Sequence, residues 1–205
     1  MNARKIPDII IGRLPVYLRA LQRMSDMGLK TTSSQELGEH VGISAAQIRK
    51  DISQFGEFGK QGTGYSIEYL IEQLREILKV DRIWDVVVIG AGDMGHAVVN
   101  YQGFNDRGFH IVAIFDNDNE KVGQAIGKFT VESTESMSVR VKEMGVKVAM
   151  LAVPAAAAQD VADQLMQAGV RAFLNYAPIS LNVPNNVKVQ YIDPSIHLQR
   201  MTYYL

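Results

Sequence analysis

Residues 86–95, VVVIGAGDMG, leave this chain few folds to adopt. A continuous apolar run that ends in Gly90, Gly92 and Gly95 and leads into a helical pattern reads as a buried parallel strand, a tight turn and a helix start. The free N–H groups and positive dipole end of a helix start suit a pyrophosphate. Gly90 allows the turn, Gly92 lets the backbone approach the phosphates, and Gly95 lets the helix pack closely on the strand. The next strand pattern, 110–115, ends in Asp116, 21 residues after Gly95, close to the spacing at which an acidic side chain meets an adenosine ribose. A carboxylate there accepts hydrogen bonds from ribose hydroxyls and repels a 2′-phosphate. The expectation is therefore NAD(H) rather than NADP(H), held by Gly90, Ala91, Gly92, Asp93, Met94, Gly95 and Asp116. Coenzyme A-binding sheets share this glycine loop, so a CoA ligand stays open.

Beyond the loop, strand and helix patterns alternate: helix 95–102, strand 110–115, a connecting region with helix 137–144, strand 146–153, helix 155–168 and strand 170–174. That order predicts a parallel sheet covered on both faces. Pro154 and the run Asn175, Tyr176, Ala177, Pro178 fall at carboxyl ends of strands, the edge where ligands bind in such sheets. A short strand and a helix ending in TYYL close the chain, and that apolar helix face needs cover from the same subunit or a partner.

The N-terminal part has a different character. Before Thr31, Arg4, Lys5, Arg13, Arg19, Arg23 and Lys30 face only Asp8 and Asp26, a modest basic excess. A helix is predicted over 13–27, ended by Gly28. Ser33 with Glu36 and Ser44 with Gln47 each read as a capping box opening a short helix, with Gly42 in the turn between, a helix-turn-helix pattern. On the second helix Ala45, Ile48, Ile52 and Phe55 face inward, leaving Ala46, Lys50, Ser53 and Gln54 outward, flanked by Gln47 and Arg49. That face suits a DNA major groove, although an ordinary three-helix bundle carries similar faces. Residues 56–65 place four glycines around Lys60 and read as a β-ribbon wing. The expected DNA contacts are Ser44, Gln47, Arg49, Lys50, Ser53, Lys60, Gly62 and Tyr65. Helix 67–78 closes this domain.

The absence of cysteine excludes disulfides, thiolate metal sites and thiol catalysis. With no membrane span and no signal sequence at the start, a soluble cytoplasmic protein is expected, without membrane or metal partners. None of His40, His96, His110 and His197 stands with a carboxylate at a spacing suited to hydride-transfer acid/base chemistry, and the chain after Leu174 is short for a substrate domain. The sequence therefore predicts no enzyme, against the rival of a small NAD-dependent dehydrogenase.

With both parts placed, the chain resembles the bacterial Rex family of redox-sensing transcriptional repressors. The segments TSSQELGEHVGIS, QIRKDISQFGEFGKQGTGY, VVVIGAGDMGHAVVNYQGF, IFDNDNEKVG, AVPAAAAQDVADQLMQAGV and LNYAPISLNVP carry the resemblance. It implies an α/β chain: an N-terminal winged-helix DNA-binding domain at 1–80, a Rossmann-like parallel-sheet NAD(H)-binding domain at 81–192, and a C-terminal helix at 193–205 swapped into the partner of a homodimer. It also implies operator binding when NADH is low and release when NADH binds, with NAD+ opposing, and it places Arg19, Tyr101 and Asp193 as relays of the redox state. A CoA or acyl-CoA responsive regulator is the alternative. Two positions depart from the family. Asp93 stands in the glycine loop where a neutral or basic residue is common, which weakens dinucleotide binding unless the side chain turns outward. Pro194 stands where an aromatic or aliphatic residue more often approaches the nicotinamide.

Overall fold

Leu14, Tyr17, Leu21 and Met24 recur at helical spacing, and one face of helix α2 (Leu14–Asp26) is accordingly buried. The structure, a computed structural model, describes residues 6–60 and 64–205. It divides into two units, Met1–Arg82 and Ile83–Leu205.

In the first unit α2 follows the short helix α1 (Asp8–Ile11) and precedes β1 (Thr31–Thr32), α3 (Ser34–Val41), α4 (Ala45–Ile52), β2 (Gly59–Lys60), β3 (Gly64–Ser66) and α5 (Ile67–Leu78). Its core joins the α2 stripe to Leu37 of α3, Ile48 and Ile52 of α4, and Ile67, Leu70 and Leu74 of α5. The strands form an antiparallel sheet in the order β1-β3-β2, with Thr32 opposite Tyr65 and Lys60 opposite Gly64. A helix, a strand, two helices and a β-ribbon in succession make a winged helix. The capping box at α3 forms in full: Ser33 Oγ accepts from the Glu36 N–H, and Glu36 Oε2 accepts from the Ser33 N–H. The expected box at α4 forms only by half. Ser44 Oγ accepts from the Gln47 N–H, but Gln47 Nε2 donates to Asp51 Oδ1 at 2.6 Å, and this strong bond to an ionised acceptor one turn along carries the Gln47 amide oxygen away from the Ser44 N–H.

The second unit contains β4 (Trp84–Ile89), α6 (Asp93–Asn100), a 3-10 turn (Gln102–Arg107), β5 (Phe109–Asp116), β6 (Ala125–Ile126), β7 (Phe129–Ser133), α7 (Thr134–Met144), β8 (Val148–Leu151), α8 (Ala155–Ala168), β9 (Ala172–Asn175), β10 (Lys188–Tyr191) and α9 (Pro194–Thr202). The sheet order is β10-β9-β8-β4-β5-β7-β6, parallel except for the β6–β7 pair. Without the short β6, this is the doubly wound order whose crevice opens where the strand direction of travel reverses, between β4 and β8. Alternate residues of the central strands enter two cores. Val87, Ile89, Phe115 and Leu151 meet α7 and α8, whereas Val86, Val88, Ile114 and Met150 meet α6. Strands β6 and β7 lie where the sequence suggested only a connection, since their apolar alternation, Phe129 and Val131, is too short to stand out. Ile196, Leu198, Met201, Tyr203, Tyr204 and Leu205, on and just after α9, are exposed.

Candidate functional site

A cleft of about 690 Å³ opens over the carboxyl ends of β4, β5 and β8. Gly90, Gly92 and Met94 line one wall, Asp116, Asn117, Asp118 and Lys121 a second, and Val153, Pro154, Ala157, Asp160, Val161, Gln164 and Tyr176 the third. Ile89 and Met137 lie buried behind this lining. The glycine turn has little latitude. Gly90 adopts φ +102°, and a Cβ on it would strike the Ala152 carbonyl, while a Cβ on Gly95 would strike the Gly90 carbonyl. No side chain caps α6 at Gly92, so the N–H groups of its first turn remain for a ligand.

Asp116 sits at the end of β5, 6% exposed. Its Oδ2 accepts from the Ala91 N–H at 2.7 Å and its Oδ1 from the Asp118 N–H at 2.8 Å. Burial opposes its ionisation, but those two N–H groups and the Lys121 ammonium, 3.6 Å away, outweigh it and hold the carboxyl below its ordinary range. A carboxylate oxygen can accept more than one hydrogen bond, so Asp116 closes the glycine turn and still offers lone pairs to the cleft. Lys121 also approaches Asp118, at 3.6 Å. Burial alone pushes the Tyr176 phenol up.

The structure thus brings Gly90, Gly92, Met94 and Asp116 together in one cleft. Ala91 is buried beneath the turn, Gly95 packs under it, and Asp93 is an exposed first residue of α6 outside the cleft lining. The acid at 93 therefore faces away and complements the helix dipole. Sequence reasoning assigned no role to Asp118, Lys121 and Asp160, although they lie within segments that carry the family resemblance.

On α4, Lys50 is exposed and its ammonium bonds to no other group among the described residues. Arg49 Nη1 donates to Ser34 Oγ at 2.9 Å, Ser44 caps the helix, and Ser53 Oγ donates to the Lys50 carbonyl. Tyr65 is half-buried against the core, which raises its phenol pKa despite the nearby Arg49. Lys60 belongs to β2, and Gly62 lies outside the described residues. Arg19 is exposed on α2. Tyr101 ends α6 away from the cleft lining, its hydroxyl accepting from Arg107 at 2.8 Å, and Asp193 caps α9 through Ser195. No hydrogen bond joins Tyr101 to Asp193 among the described residues.

A winged helix on the same chain as a doubly wound sheet with a dinucleotide-type cleft defines a class: ligand-responsive DNA-binding regulators. A family model described as "Putative DNA-binding protein N-terminus" matches residues 5–53, and one described as "CoA binding domain" matches residues 81–179. The redox-sensing transcriptional repressor Rex of Chloroflexus aggregans (strain MD-66 / DSM 9485) is 50% identical over 97% of this chain and 94% of its own length. The solved structure of RSP in complex with β-NAD+ and operator DNA aligns with a TM-score of 0.92 at 35% identity, over 98% of this chain and 93% of that one. RSP in complex with β-NADH aligns at 0.89 with 33% identity, over 98% and 94%. The chain belongs to the Rex family of redox-sensing transcriptional repressors.

Proposed function

We propose that this repressor binds operator DNA through α4 and the wing, and releases it when NADH fills the cleft of the second unit. The observation that carries the ligand is Asp116 at the end of β5, beside an uncapped helix start at the crevice of the sheet. The pyrophosphate would rest on the first turn of α6, the adenosine ribose against Asp116, and apolar surfaces from Val153, Pro154 and Val161 against the rings. The family model's description favours CoA as a second reading. Charge argues against it: CoA and NADP(H) both carry an extra phosphate on the adenosine ribose, and here that end of the cleft presents Asp116 and Asp118 with Lys121 already between them.

In this reading residues 1–80 bind DNA, residues 81–192 bind nucleotide, and residues 193–205 cross to the partner of a homodimer, which covers the apolar groups of α9. Lys50, Arg49 and Lys60 meet the operator. NADH and NAD+ share every contact except those at the nicotinamide, so only that end can bias the dimer between DNA-competent and incompetent forms. Tyr101, Asp193 and Arg19 relay the difference. A cytoplasmic location fits: among the described residues no helix is long and apolar enough to cross a membrane.

The test is fluorescence anisotropy on an operator duplex selected by the protein from a random pool, at fixed salt, with NADH titrated against constant NAD+ and, separately, against CoA. Release by NADH, opposed by NAD+, is expected. Release by CoA but not NADH would replace the nucleotide reading, and failure to select any duplex would remove the DNA reading.

A further inference from the structure

Asp51 is a charged residue at the centre of an apolar stripe. Ile48, Asp51 and Ile52 follow one another on the buried face of α4, with Phe55 in the turn just beyond, and Asp51 is fully buried. Four donors converge on it. Arg13 Nε reaches Oδ2 at 2.6 Å and Arg13 Nη2 reaches Oδ1 at 2.8 Å, a bidentate pair. The Tyr17 hydroxyl donates to Oδ2 at 2.7 Å, and Gln47 Nε2 to Oδ1 at 2.6 Å. A brace between α2 and α4 does not require charge, because an apolar pair of similar size stabilises a core at least as well as a buried ion pair. The charge has another use on the Arg13 side. A guanidinium has five N–H donors in a fixed fork, and Asp51 engages two of them. The Arg13 side chain remains 22% exposed.

Tyr17 also stands against the guanidinium, and the place of Arg13 gives its remaining donors a target. Gln47 and Arg49 flank the outward face of α4 on opposite sides, and Arg13 stands on the Gln47 side. A helix about 10–12 Å across nearly fills a major groove about 12 Å wide, so its two flanks face opposite phosphate walls. We propose that Arg13 is a phosphate-contacting residue of the DNA interface, held by buried Asp51 on the Gln47 flank of α4, with Gln47 drawn back from the bases by the same carboxylate. The proposal rests on the reading that α4 enters the major groove. Asp51 is a positioning residue: it fixes the plane of the guanidinium and touches no DNA itself.

The experiment is anisotropy of the full-length protein on two labelled duplexes, one of random sequence and one selected from a random pool, across a series of KCl concentrations. Each phosphate contact contributes about 0.9 to the slope of log K against log salt. Arg13→Gln is expected to lower that slope by about 0.9 per protein chain bound on both duplexes, and Arg13→Lys to restore it. Because Arg13→Gln leaves Asp51 buried without its cation, the double variant Arg13→Gln/Asp51→Asn supplies a neutral amide pair. It is expected to unfold cooperatively and show the same lowered slope. Weakened binding at an unchanged slope in both variants means a brace only and overturns the proposal, as does a slope for Arg13→Lys no higher than for Arg13→Gln. A wild-type protein with no salt-dependent binding to either duplex removes the DNA reading itself, and the clamp with it.

Discussion

Replacing Gly92 and Gly95 in turn by alanine separates ligand approach from folding within a single turn. Gly92 has φ −83° and ψ −170°, open to any residue, and an added Cβ meets nothing within 4 Å. As an N-cap it gives way to alanine at a cost of roughly 0.5–1 kcal/mol, which for a domain of this size lowers Tm by about 2–5 °C. Its methyl group, however, stands on the cleft wall where backbone must approach phosphate, and an NADH affinity at least tenfold weaker, about 1.4 kcal/mol, is expected. Gly95→Ala reverses the pattern. Alanine gains about 1 kcal/mol of helix propensity over glycine, but its Cβ meets the carbonyl of Gly90, a backbone atom that cannot rotate away. Overpacking costs about 1–3 kcal/mol, and with an obstacle so rigid the upper part of that range, about 2–3 kcal/mol, applies, leaving a net loss of about 1–2 kcal/mol. Thermal unfolding by circular dichroism and NADH titration by fluorescence on the same preparations check both. Wild-type NADH affinity in Gly92→Ala, or wild-type stability in Gly95→Ala, would refute the division of labour.

Asp116→Asn sets an NH₂ group against the N–H of Ala91 or Asp118, so urea unfolding should show a loss of about 1–3 kcal/mol together with weaker NADH binding. Asp51 and Asp116 both ionise below their ordinary range, because their hydrogen-bond donors and cations outweigh burial. Their stabilisation is complete above the unfolded carboxylate value near ~3.9 and is lost as pH falls through the lower folded values, so unfolding monitored against pH should show a steep drop below about pH 4. Tyr101→Phe removes a hydroxyl from an exposed side chain bonded to Arg107. Operator affinity should stay near wild type while the NADH concentration for half-release rises, read by the same anisotropy titration. Under the proposed homodimer, deleting residues 194–205 removes α9, and light scattering should find the dimer converted to monomer, with a retained dimer counting against the swapped helix.

How much was legible depended on whether a residue's partner lies near it in sequence. The glycine turn, Asp116 and α8 were readable because strand, turn and helix are consecutive and their apolar periods are long. The first capping box was local and formed. The second failed through Asp51, whose dominant partner Arg13 lies 38 residues away, a separation no window of sequence spans. One signal was available: a carboxylate inside the stripe of Ile48, Ile52 and Phe55 requires a buried cation. Asp160 reaches the cleft through tertiary placement, whereas Asp118 and Lys121 follow Asp116 closely in a segment without regular periodicity, and Tyr65, expected as a DNA contact, is also half-buried against the core.

The hydrogen bond from Ala91 to Asp116 closes the glycine turn with the protein's own atoms, so that half of the nucleotide site is finished before any ligand arrives. Under the proposed function reduced and oxidised dinucleotides meet the same finished surface there. It multiplies both association constants by one factor and cancels from their quotient. The turn therefore sets the total pool of nucleotide over which the repressor responds, as a range switch does on a meter, and leaves the needle to the nicotinamide end. Variants of the turn should shift how much nucleotide is needed at any given ratio, and variants at the other end the ratio at which transcription changes.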